Sequence, residues 1–122
     1  MTQYLISFND GAMDHIPDED FADVGKASHA VVEEAISAGV WVYGAGLLRQ
    51  RASVVGTDGM VTDGPFPETK EVVGGFSVVE VASREEALAW AAKMAVACRC
   101  AQEVRDIMPD PETDEMLRRA GS

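Results

Sequence analysis

Gly74-Gly75-Phe76-Ser77-Val78-Val79-Glu80-Val81, with Ser83-Arg84-Glu85-Glu86 one residue further on, is the stretch whose reading decides the fold. The first run is rich in β-branched and aromatic residues and reads as a strong strand. Its opening pair of glycines is best read as a bulge or a close approach of backbone. The second run is a capping box, serine to glutamate three residues on, and starts a helix. Ala87, Trp90, Ala91 and Met94 give that helix its apolar face. A last strand follows over Ala101 to Ile107, where Glu103 and Arg105 alternate with Val104 and Ile107. Pro109 and Pro111 then break structure, and the tail to Ser122 forms at most a short exposed helix around Asp114 to Arg119.

Working back towards the N-terminus, Val61 to Glu71 is a polar, turn-rich loop between two apolar strand-like segments. Asp63-Gly64-Pro65 fixes a tight backbone there, and Phe66 is a large apolar group on a loop. A hairpin turn needs fewer residues, so the surplus suggests a loop that lines something. Before it, Ala52 to Val55 and Met60 to Thr62 form a hairpin around Thr57-Asp58-Gly59. Val40-Trp41-Val42-Tyr43 is a strand that runs on through Gly44-Ala45-Gly46 to Leu47-Leu48. Residues 18 to 38 carry a helical stripe of Phe21, Val24, Ser28, Val31 and Ala35, with Pro17 at its first position and Gly39 beyond its end. Gln3 to Asn9 is the first strand, with Tyr4, Ile6 and Phe8 on one face.

The order is strand, helix, strand, hairpin, strand, helix, strand. That predicts an α+β, ferredoxin-like fold, an antiparallel sheet with two helices on one face. Such a sheet should alternate apolar and polar residues. Leu5-Ile6, Val40-Trp41-Val42-Tyr43 and Val78-Val79 are instead apolar at consecutive positions, so both faces of the sheet are expected to be buried. Two helices cover one face. A homodimer with sheets packed face to face would cover the other, with Trp41 and Tyr43 at the interface or lining a cavity on that same face.

Composition narrows the function classes. The 122 residues fit one domain, and a 47% apolar content argues against disorder. A formal net charge of −11 argues against a nucleic-acid partner. No apolar run is long enough to span a membrane, and the N-terminus lacks the basic region of a signal peptide, so a cytoplasmic protein is expected. Cys98 and Cys100 have no second pair and no zinc-like spacing to His15 or His29, so small buried thiols are expected and no metal.

Val61-Thr62-Asp63-Gly64-Pro65-Phe66-Pro67-Glu68-Thr69-Lys70-Glu71, followed by Gly74-Gly75-Phe76, resembles the signature of the YCII-related proteins of the DGPF type. Alanine usually stands in that family where this chain has Pro67. Glu33-Glu34 before Ala38-Gly39-Val40, Gly46-Leu47, Glu85 to Ala91 and Glu103-Val104-Arg105 fall in the family's order. The resemblance implies a YCII-related domain over 1–108 with a C-terminal tail over 109–122, dimerising into an α/β barrel. It implies no known reaction. A histidine–aspartate pair has been proposed as catalytic in related members, and some are fused to, or encoded beside, alternative sigma factors. Here Asp63 matches the motif aspartate and His29 lies on the first helix. Cys98-Arg99-Cys100 departs from the small, glycine-containing segment expected at that point.

Two functions are carried forward. The first is a small-molecule pocket at the loop, shaped by Gly64, Phe66, Glu68 and Lys70, with Asp63 and His29 doing acid–base work and no cofactor. The second is a regulatory module that binds a metabolite or a sigma-factor-like partner, for which the acidic surface is suited. Each residue also has a plainer reading. Turn chemistry alone explains aspartate before Gly-Pro. His29 is one turn from Glu33, and Lys70 can pair with Glu68 or Glu71.

Overall fold

The computed structural model describes residues 1–49, 52–64 and 72–121. Strands β1 (Thr2–Asn9), β2 (Trp41–Gly46), β5 (Val73–Val81) and β6 (Glu103–Asp106) form one sheet in the order β2-β5-β1-β6, every neighbouring pair antiparallel. Strands β3 (Ser53–Val55) and β4 (Val61–Asp63) form a separate hairpin. Helices α1 (Phe21–Ser37) and α2 (Arg84–Cys98) pack on each other and against the sheet, and α3 (Pro111–Ala120) ends the chain. This is the ferredoxin-like α+β arrangement expected from the order of elements.

The core forms where period-two and period-3.6 patterns meet. Tyr4 and Ile6 of β1 and Val79 and Val81 of β5 bury one sheet face against Ala87 and Ala91 of α2. Those alanines let the helix approach closely; Ala87 is fully buried. Ser83 caps α2 by accepting from the Glu86 N–H, while Glu86 reaches back to the Ala82 N–H. This is the capping box read in the sequence, with its return bond shifted by one residue.

Both readings of Gly74-Gly75 are met. The β1–β5 register shifts there, because Phe8 pairs with Gly75 but Asn9 with Val73. A Cβ on Gly74 would stand 2.9 Å from the Asp10 backbone, and one on Gly75 would stand 2.4 Å from the Phe8 ring.

Four expectations are corrected. Residues 18–20 form a short 3-10 turn, and α1 proper begins at Phe21. Strand β6 is shorter than 101–107, because α2 extends to Cys98 and Arg99 takes up the turn after it. Pro111 starts α3 at its first turn, where a missing N–H costs nothing, and Asp110 caps it by accepting from the Thr113 N–H. Trp41 and Tyr43 do not share a face. The β2–β5 register slips between them, Trp41 opposite Val79 and Tyr43 opposite Val78, so Val42 is a bulge that reverses the alternation. Trp41 goes to the helix side, and Tyr43 lies 6.1 Å from Phe76, centroid to centroid, on the other.

Candidate functional site

A cleft of about 590 Å³ opens between α1 and the helix side of the sheet. One wall is α1, where Gly25, Ser28, His29 and Val32 recur at helical spacing and share a face. The floor is the β2–β5–β1 part of the sheet, with Trp41, Ser77 and Phe8. Trp41 is laid against its own strand: a Cβ on Gly44 would stand 2.6 Å from Cη2 of the indole, so only glycine fits beneath it. Met94 and Cys98, at the end of α2, close the far side with Gln102.

The walls of this cleft carry no aspartate, glutamate, lysine or arginine among the described residues, in a chain with 31 such side chains. Its polar groups are few and spaced. The Ser28 hydroxyl donates to the Gly25 carbonyl at 3.0 Å, which leaves its oxygen as an acceptor facing the cavity. Gln102 donates to the Cys100 carbonyl at 3.4 Å. Burial, with a smaller contribution from Cys100, pushes the Cys98 thiol up from 9.0 to about 11, so it is a neutral wall and not a nucleophile. The Cys100 thiol is also raised by burial, against the opposing bond from Gln102.

At one end of the cleft a hollow of about 330 Å³ shares Phe8, Met13 and Phe21 with it. Arg49 lies there, with Nε 2.8 Å from Asp10 and Nη2 2.9 Å from Asp14. It straps the segment after β1 to the segment after β2. Bonds from Asp14 and then Asp10 hold its guanidinium even more firmly protonated than usual.

Of the residues singled out in the sequence, His29 lines the cleft. Asp63 does not. It is exposed at the end of β4, opposite Ser53. Gly64 is half-buried, its N–H donating to the Ala52 carbonyl at 2.9 Å, and a Cβ there would crowd Val54. Phe66, Glu68 and Lys70 lie outside the described residues. Ser77, Cys98, Gln102 and Arg49 are not among the residues the sequence singles out for a site, and Trp41, expected at the far-face interface or in a cavity there, lines the cleft on the helix side instead. The bulge hides Trp41, but the helical recurrence of Gly25, Ser28 and Val32 around His29 was there to be read.

An antiparallel sheet with two helices on one face, opening a largely uncharged cleft beneath the first of them, defines a small ferredoxin-like α+β protein with a ligand-sized cavity. The family model of the YCII-related domain matches residues 11–110, and the chain belongs to the YCII-related family. Among solved structures, a 5-chloro-2-hydroxyhydroquinone dehydrochlorinase from Burkholderia phenoliruptrix AC1100, in complex with 2,5-dihydroxybenzoquinone, is similar. The identity is 17% over 89% of this chain and 96% of that one, with a TM-score of 0.49. No curated protein matches the sequence.

Proposed function

We propose that the cleft beneath α1 binds a small organic molecule and that His29 transfers a proton there, without a cofactor. The observation that carries this reading is the placing of His29, an exposed imidazole on α1, in the wall of a cavity whose described lining holds no other titratable group than the buried thiol of Cys98 and the phenol of Tyr43. Asp63 is its proposed partner in acid–base work. Gly64, Phe66, Glu68 and Lys70 are proposed to contribute to binding the ligand.

We also infer a homodimer. Leu5, Phe76 and Val78 occupy the sheet face away from the helices, where a second copy's sheet would cover them.

A thermal-shift screen of small alcohols, ketones, acids and aromatics tests the pocket on the wild type, His29→Ala and Asp63→Asn. A ligand present at a hundred times its dissociation constant stabilises by about 2.7 kcal/mol, which is a shift of several degrees. The expected result is a compound that raises the melting temperature of the wild type and fails to raise that of His29→Ala or Asp63→Asn. Equal shifts in all three remove His29 and Asp63 from the site. No shift with any compound overturns the reading of the cleft as a pocket.

A further inference from the structure

The glycines of this chain divide by what stands next to them. Gly44 and Gly75 lie beneath the Trp41 and Phe8 rings, and Gly74 lies against the Asp10 backbone, so packing explains each. Gly25 is different. It sits inside α1, and a Cβ built on it meets nothing within 4 Å beyond the helix's own backbone and its chain neighbours. Glycine within a helix is less stable than alanine, and here no neighbour requires the smaller residue. What the bare position does leave is room. Gly25 is on the wall of the cleft, one turn before Ser28 and His29, and any side chain there would project into the cavity.

Two further observations bear on what that room holds. Phe8, Phe21 and Trp41 all line the cleft, so aromatic rings meet it from β1, α1 and β2. The same lining holds no lysine or arginine among the described residues, and the protein's net charge is −11. An anion entering this cleft would lose its hydration without meeting a lysine or arginine on the described walls, since Arg49 in the adjoining hollow is already paired with Asp10 and Asp14, and it would be repelled by the protein's net charge. A neutral ring meets apolar surface, with the Ser28 oxygen free to accept one bond.

We propose that Gly25 sets the size of the ligand, and that the ligand is an uncharged aromatic molecule occupying the space a side chain at position 25 would fill. This rests on the reading of the cleft as a pocket. Isothermal titration of 2-naphthol and 2-naphthoate into the wild type, Gly25→Ala and Gly25→Leu tests it, with circular dichroism to establish that each variant is folded. The wild type is expected to bind naphthol at least tenfold more tightly than naphthoate. Gly25→Ala should melt about 2–6 °C higher in the absence of ligand, because the helix gains. It should nevertheless bind naphthol more weakly, and folded Gly25→Leu should lose at least tenfold. Unchanged naphthol affinity in Gly25→Leu overturns the size-setting role, and equal binding of naphthoate by the wild type overturns the preference for a neutral ligand. Failure of the wild type to bind either compound overturns this inference alone, since the pocket itself falls only if the wider thermal-shift panel also fails.

Discussion

Cys98 shows how one buried side chain couples the cleft to pH. Its thiol is held at about 11 in the folded protein against 9.0 when exposed. Below pH 9 both states keep the proton and folding is unaffected. Between about pH 9 and 11 the unfolded chain ionises first, so this contribution to stability is lost as the pH rises. Urea midpoints of the wild type and Cys98→Ala, measured from pH 7 to 11, check this. The stability advantage of the wild type should shrink through that window, by at most about 1.4 kcal/mol per pH unit, and a constant gap would contradict the assignment. Its neighbour Arg99 carries the other residue-scale lesson. It holds φ +57°, the only positive φ outside glycine among the described residues, and ends α2 where glycine is usual. The Cys98-Arg99-Cys100 departure from a glycine-containing segment therefore falls on a backbone position that favours glycine. The Arg99 guanidinium reaches Asp20 at 2.8 Å and joins the end of α2 to the start of α1.

Among the elements, those with a strong internal pattern were legible and those decided by their neighbours were not. The capping box at Ser83, the Asp58-Gly59 turn and the alternation of Tyr4, Ile6 and Phe8 each write their structure locally, and each element was found. The bulge at Val42 has no such mark, because four consecutive apolar residues fit either register of a strand. Only pairing with β5 selects one. For the same reason His29 could be placed at the edge of a helical stripe, while the cavity it faces depends on how α1 rests on α2 and β2. Helix α3 is the opposite case. Its sequence caps it with Asp110 and pairs Arg118 and Arg119 with Glu115, yet none of its residues is buried, and Met116 and Leu117 are largely exposed. The division into a domain over 1–108 and a tail over 109–122 thus has a thermodynamic test. Removal of 109–122 is expected to leave the melting temperature within about 2 °C of the full chain, since exposed residues contribute little to the core. A fall of many degrees by calorimetry would place the boundary elsewhere.

At the scale of the molecule, the sheet has one face under helices and one without. The homodimer proposed for the second face predicts a mass near twice 13.1 kDa by light scattering at micromolar protein. Phe76→Asp, which sets a charge in the middle of that face, should return the mass to that of one chain while far-ultraviolet circular dichroism is retained. A monomeric wild type would sink the proposal. The bulge at Val42 then acquires a wider meaning. It works as a change of phase within a single strand: Trp41 before it answers to the cleft, Tyr43 after it answers to the far side, and Gly44 comes back beneath the indole. Because the extra residue sits between them, selection on what the cleft admits and selection on what the far face meets act on separate letters of one short word. Trp41 and Tyr43, two positions apart, are in that sense as independent as residues on different strands.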